Sequence, residues 1–117
     1  MIRLFKASII LFTLLFPSFI LATSSQWIVG TWELFHDPDG DEKDWIEFTD
    51  AGEVVSFTQD KTRQVHGTYE VGQDAVRIVY ELYGQSIPVV LTYKQNKSAL
   101  FAFSSRTGNT STYKKKH

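Results

Sequence analysis

The amino-acid sequence predicts an all-β fold, namely a small eight-stranded antiparallel up-and-down barrel with no significant helix after residue 24. Apolar and polar residues alternate with a period of two along most of this part of the chain, which is typical of half-buried strands. Turn-forming residues separate the alternating runs, and no window has the spacing of about 3.6 residues that marks an amphipathic helix. The chain has 117 residues, of which 43% are hydrophobic and 15% aromatic, so it can form the core of one domain.

The first 24 residues have the pattern of a secretory signal peptide, which assigns the barrel domain to residues 25–117. Arg3 and Lys6 precede an uncharged apolar stretch, and small residues surround a cut before Ser25. A cut two residues earlier fits almost equally well. Retention as a membrane anchor is the alternative, although the apolar stretch at 9–22 has 14 residues against the roughly 20 of a spanning helix. We therefore expect an exported bacterial protein that is periplasmic or secreted.

The strands are predicted to follow one another in an unbroken series. The first two flank an acidic turn that contains Pro38 and Gly40, and the third begins after a turn at Gly52. Every connection has two to seven residues, so strands adjacent in sequence are expected to pair as antiparallel hairpins. In chain order the predicted strands are 31–36, 44–49, 53–58, 63–71, 75–83, 86–94, 98–104 and 110–115.

The alternation also assigns an apolar face to the strands. Val55 and Phe57 share one face of the third strand, opposite Ser56 and Thr58. Because no helix is available to cover the apolar face, the sheet is expected to close on itself, which also removes exposed edges. Pro88 has no backbone N–H and predicts a bulge or a local gap in the sixth strand. The apolar rows of the later strands are Val65, Gly67, Tyr69 and Val71; Val76, Ile78, Tyr80 and Leu82; Ile87, Val89, Leu91 and Tyr93; and Phe101 with Phe103.

A short motif, Gly30-Thr31-Trp32, stands at the start of the first strand, just after the segment 26–29. With eight consecutive strands and a last strand that ends in Tyr-Lys-Lys, this placement resembles the Gly-x-Trp signature of the lipocalin and calycin superfamily. Within that superfamily, the chain resembles the short bacterial lipocalin-like domains. The resemblance implies an up-and-down barrel sealed at one end by the tryptophan. It also implies a basic side chain of the last strand packed on that ring, with Lys114 and Arg106 as the nearest candidates.

Six ring-bearing residues are expected to face the barrel interior. In one interpretation they line a pocket for a small apolar molecule, which makes the chain an exported, non-enzymatic, lipocalin-like binding protein. In the other they fill the barrel, because eight strands enclose a space just wide enough for side chains or one small ligand. The sequence leaves both interpretations open. The six residues are Trp32, Tyr69, Tyr80, Tyr93, Phe101 and Phe103.

Charge is segregated along the chain. Residues 33–53 contain nine acidic side chains and one basic side chain, whereas 94–117 contain six basic side chains and no acidic ones. The two blocks would lie side by side if the first and last strands pair. Because an acidic surface steers basic partners, the alternative function is an envelope protein-interaction module, of the inhibitor or immunity type, that binds a basic protein. The residues expected to make this contact are Asp39, Asp41, Glu42 and Asp44.

The sequence predicts no catalytic residue, cofactor or metal ion, and we expect a protein that is not an enzyme. There is no cysteine, and the serines stand in no recognisable nucleophile motif. The acidic segment 37–42 lacks the spacing of a calcium loop, and His36 and His66 lack a metal-ligand spacing. A formal net charge of -1 excludes a broadly basic nucleic-acid binder. Stable membrane insertion is not expected, because strands of six to nine residues are shorter than the roughly 9–11 of an outer-membrane barrel.

Overall fold

The computed structural model describes residues 25–116 and shows an all-β barrel, as the sequence predicts. A short 3-10 helix, Gln26–Ile28, precedes the strands and is the one helical element in this part of the chain. Each predicted strand is present, with both ends within two residues of the expected positions. The predicted signal peptide lies outside the described residues. The strands are β1 Gly30–His36, β2 Asp44–Phe48, β3 Glu53–Thr58, β4 Gln64–Val71, β5 Ala75–Leu82, β6 Gln85–Thr92, β7 Ala99–Phe103 and β8 Thr110–Lys115.

The barrel closes because the first and last strands pair. All strands follow in chain order around the barrel, each antiparallel to its neighbours. In the closing ladder Trp32 lies opposite Lys115, and Glu33 lies opposite Lys114. One acidic and one basic residue of the two charge blocks therefore face each other at this seam, while the ion pair of Glu33 is with Lys43.

The seam between β6 and β7 is much less complete. Thr92 opposite Phe101 is its single registered pair. By contrast, β6 pairs with β5 along its whole length, as far as Gln85 opposite Leu82. Pro88 lies within this continuous ladder and cannot donate a hydrogen bond. The ladder with β5 continues through Pro88 without a bulge or gap, and the unpaired part of the β7 side extends along most of β6 and not only at the proline.

The core occupies one half of the barrel. We call the end where β1 begins, next to the 3-10 helix, the closed end, and the end where β1 finishes the open end. The largest fully buried side chains come from the 3-10 helix and from the strand segments near the closed end, so this half is filled by packing. These side chains are Trp32, Phe48, Ile28, Ile78, Leu91, Leu100, Val54 and Val76.

The predicted face of β7 is wrong. Leu100 is fully buried in the core, so Phe101 and Phe103 point outward, and Phe103 is 67% exposed. Every residue of β7 is apolar, so alternation cannot distinguish its two faces. The pairing of Leu100 with the buried Tyr113 of β8 decides which face turns inward.

The predicted face of β3 is wrong as well. Val54 and Thr58 are buried, which places Val55 and Phe57 on the outer face. On that face the Phe57 ring stacks beside the Trp45 ring of β2, with 6.0 Å between centroids and 10° between planes. The two rings cover each other's apolar surface on the outside of the barrel. The face of β3 that carries Val55 and Phe57 is therefore the outer face and not the core face.

Candidate functional site

The closed end of the barrel is sealed by two tryptophans and a lysine. Trp32 Nε1 donates a hydrogen bond to the Ile28 carbonyl oxygen over 2.9 Å, and the Trp27 ring meets the Trp32 ring edge-on at 6.1 Å between centroids. Lys115 Nζ lies 5.9 Å from the centroid of the Trp32 ring and donates to the Trp27 carbonyl oxygen over 2.8 Å. These contacts fasten the 3-10 helix across this end of the barrel.

The basic residue on Trp32 is thus Lys115, and the expectation of Lys114 or Arg106 is wrong. Alternation along β8 turns Lys115 inward and Lys114 outward, where the Lys114 Nζ lies 4.4 Å from the centroid of the exposed Phe35 ring. Arg106 lies in the exposed turn between β7 and β8. The inward position on the last strand is what brings Lys115, and not its neighbour, to the tryptophan.

Gly30 of the same motif occupies a position that a larger residue would fit poorly. Gly30 has a φ of +131°, which L side chains rarely adopt. A Cβ at this position would lie 2.9 Å from Lys115 Cε. The motif therefore combines a ring that seals the barrel with a glycine that leaves room for the lysine stem.

Tyr69 and Tyr93 also belong to the closed end. The Tyr69 hydroxyl donates to the Thr49 carbonyl oxygen over 2.5 Å, and the Tyr93 hydroxyl donates to the Gln73 carbonyl oxygen over 2.9 Å. Burial raises the pKa of both phenols, which therefore remain hydrogen-bond donors. Both rings pack on the core as predicted, and their hydroxyls bind loop carbonyls.

The open end contains a cavity of about 760 Å³ that is open to solvent. Val65 of β4 and Leu82 of β5 contribute apolar surface, and Tyr83 adds a ring from the β5–β6 turn. Asp44 of β2 and Ser56 of β3 contribute polar atoms. Small-molecule pockets commonly enclose about 300–1,000 Å³, so this space is large enough for a ligand.

Tyr80 packs on the core and contacts Ser56, which lines this cavity, but Tyr80 itself does not line it. Its ring is partly buried against the core cluster, as predicted, and its hydroxyl lies 2.6 Å from Ser56 Oγ. Burial raises the pKa of the Tyr80 hydroxyl. Each of the two hydroxyls can donate or accept a hydrogen bond. Ser56 can therefore act as a donor or as an acceptor towards a molecule in the cavity.

A carboxylate and a second tyrosine form the other polar pair of the open end. The Tyr113 hydroxyl donates to Asp44 Oδ1 over 2.8 Å. Burial raises the pKa of the Asp44 carboxyl; the hydrogen bond from Tyr113 opposes this effect, and the charges of Asp37 and Asp41 add to it. Burial and then the charge of Asp44 raise the pKa of Tyr113, so its hydroxyl stays a donor. The pair holds one carboxylate half-buried at the cavity.

The four acidic residues predicted to bind a partner do not form one exposed face. Asp44 turns toward the barrel interior, where it accepts the hydrogen bond from Tyr113. Asp39 accepts hydrogen bonds from Thr107 Oγ1 (2.9 Å) and Asn109 Nδ2 (2.7 Å) in the β7–β8 turn. Asp41 and Glu42 are exposed at the rim of the cavity, and Glu42 forms an ion pair with Arg63.

Three carboxylates of the β1–β2 loop lie close together. One oxygen each from Asp37, Asp39 and Asp41 falls within 4.8 Å of the others. Asp37 Oδ1 accepts hydrogen bonds from the Asp39 N–H and from Ser111 Oγ, and its Oδ2 accepts one from the Asp41 N–H. Asp39 in turn accepts hydrogen bonds from the β7–β8 turn. Together these bonds explain why the three carboxylates lie close together: they hold the β1–β2 loop against the β7–β8 hairpin.

Sequence reasoning missed Tyr113, Ser56 and the inward position of Asp44. Alternation contains the signal for Asp44, because it shares a face with the buried Ile46 and Phe48 of β2. Likewise, Ser56 shares a face with the buried Val54. The sequence analysis placed Ser56 opposite the expected core face and assigned Asp44 to a partner-binding surface, whereas both side chains face the inside of the barrel at its open end.

Comparisons with family models, with curated proteins and with solved structures gave no match to this chain. No helix within residues 25–116 has the length and apolar character needed to cross a membrane. The eight-stranded up-and-down architecture is consistent with a lipocalin-like fold.

Proposed function

We propose that this chain is an exported, non-enzymatic, lipocalin-like binding protein that holds a small, largely apolar molecule at the open end of its barrel. The observation that carries the proposal is the cavity of about 760 Å³ above a packed core. Val65 and Leu82 offer it apolar surface, while Ser56 and Asp44 offer a few fixed polar groups. Eight of the twelve lining residues are polar or charged, so the apolar surface available to a ligand is confined to Phe57, Val65, Leu82 and Tyr83.

The family assignment within this proposal has its own support. The closed barrel, the position of Gly30-Thr31-Trp32 at its sealed end and the lysine packed on the tryptophan agree with what the resemblance implies. The packed closed half limits the ligand to the open half. The ligand would therefore be small, and it would contact Tyr83 and Leu82 before it reached the core.

Binding of a neutral, fluorescent naphthylamine dye tests the proposal. We expect saturable fluorescence enhancement with the mature protein and its loss in Val65→Phe, which fills the cavity from β4. His66→Phe is the matched control, because His66 is the next residue and is exposed on the outer face. Undiminished binding by a folded Val65→Phe protein would contradict the proposed site. Native mass spectrometry of the protein from its own periplasm then identifies the natural ligand, or a co-purifying protein if the alternative function is correct.

A further inference from the structure

Asp44 lacks a cationic partner within the described part of the chain. The ion pairs found in residues 25–116 join Lys43 to Glu33 and Arg63 to Glu42. The side-chain hydrogen bond that Asp44 receives comes from the neutral Tyr113 hydroxyl. A half-buried carboxylate with only neutral donors gains from an added positive charge, because desolvation has weakened its hydration.

The charged residues around Asp44 also favour the binding of a cation. Asp41 and Glu42 line the same cavity, and Asp37 adds its charge from the β1–β2 loop. Among residues 25–116, Arg63 is the one basic residue that lines the cavity, and its guanidinium is paired with Glu42. The mouth of the barrel is therefore negative, which repels anions and attracts cations.

The cavity also has an apolar part next to this charge. Val65 and Leu82 lie on β4 and β5, and Tyr83 extends from the turn that follows β5 with 95% of its surface exposed. An apolar body can remove these surfaces from water, while a cationic group reaches the carboxylate. Charge and apolar area in one cavity thus specify a ligand with two chemically different ends.

We infer that the ligand is a small amphiphile with a protonated amine at one end of an apolar body, the amine binding Asp44 and the body packing on Val65 and Leu82. This inference rests on the proposed function. The ammonium group would share the Asp44 carboxylate with the Tyr113 hydroxyl, which keeps the carboxylate in place. A charge-assisted hydrogen bond of this kind is shorter and stronger than a neutral one.

Three probes with the same body and different head groups test the inference: phenylpropylamine, phenylpropanol and phenylpropanoate. Each competes with the neutral dye near neutral pH. We expect the amine to bind at least about tenfold more tightly than the alcohol, which is the scale of one charge-assisted hydrogen bond, and the carboxylate to bind most weakly. In Asp44→Asn the advantage of the amine should disappear while binding of the alcohol and the dye persists.

Asp41→Asn is the matched control, because it removes one exposed negative charge from the rim. It should reduce amine binding by less than about threefold, as expected for a screened surface charge. If dye and alcohol bind but the amine gains nothing, the inference is wrong and the proposed function stands. If neither the dye nor any probe binds, both are wrong. The ranking of the three probes on the unmodified protein decides the question even if Asp44→Asn does not fold.

Discussion

The ammonium nitrogen of Lys115 lies 5.9 Å from the centroid of the Trp32 ring, across the seam where the last strand meets the first. The same nitrogen donates a hydrogen bond to the carbonyl oxygen of Trp27, in the 3-10 helix that precedes the first strand. One side chain thus connects β1, β8 and the segment that covers the closed end. The same residue thus takes part in the ladder that closes the barrel and in the contacts that seal its end.

Replacing Lys115 by methionine should therefore destabilise the protein. The variant loses the cation–π contact and the hydrogen bond to the Trp27 carbonyl oxygen, and we expect the free energy of unfolding to fall by about 1–3 kcal/mol. Urea unfolding followed by circular dichroism measures the loss. Lys114→Met is the control on the outer face and should cost less than about 1 kcal/mol, because its contact with Phe35 is exposed. Equal losses in the two variants would contradict the assigned role of Lys115.

The orientation of β7 leads to a second prediction. Leu100→Ala removes a fully buried side chain from the core and should lower the free energy of unfolding by about 2–5 kcal/mol. Phe103→Ala removes a larger side chain that is mostly exposed, so its effect should stay within about 0.5 kcal/mol. The comparison uses the same urea titration. A larger loss in Phe103→Ala than in Leu100→Ala would show that β7 faces the other way.

The buried position of Asp44 predicts a pH dependence of stability. Because burial raises its pKa above the ordinary value of 3.8, the native state holds this proton more tightly than the unfolded chain does. The contribution of Asp44 to the free energy of unfolding is then greatest below its unfolded pKa and falls as pH rises through the native pKa. Asp44→Asn cannot ionise and escapes this loss. Relative to the unmodified protein, the variant should therefore gain stability between acidic and neutral pH.

Urea titrations of both proteins at about pH 3 and about pH 7 bracket this ionisation. The expected result is a difference in the free energy of unfolding that shifts in favour of Asp44→Asn at the higher pH. A difference that is the same at both pH values would mean that Asp44 ionises equally in the native and unfolded states. Its charge would then lie in solvent and not at a half-buried site.

The strand order was predictable because local signals agree along the chain. Turn residues and two-residue alternation fix the eight strands, and short connections fix their antiparallel neighbours. The closing register was not predictable, because the pairing of Trp32 with Lys115 joins the two ends of the domain. For the same reason, the sequence offered Lys114 and Arg106 as candidates for the basic residue on Trp32 and did not single out Lys115.

The candidate site was predictable only in part. None of the six ring residues predicted to bind a ligand is among the described residues that line the cavity. Tyr80 was placed inside from the apolar row of β5, but its bond to Ser56 depends on how three neighbouring strands curve around the barrel. The position of Asp44 was hidden by the acidic segment around it, which is typical of a solvated turn. Phe103 was misplaced because hydrophobicity alone does not distinguish a core residue from an outward ring on a strand that is apolar on both sides.

The single registered pair between β6 and β7 has a consequence for local opening. The β5–β6 ladder is continuous over eight registered pairs, so far fewer strand contacts have to break along the β6–β7 line. A molecule that opens along this line keeps a continuous sheet from β1 to β6, while the hairpin of β7 and β8 stays attached through β1. Backbone amides of β7 should therefore exchange their protons with solvent sooner than those of the β5–β6 ladder.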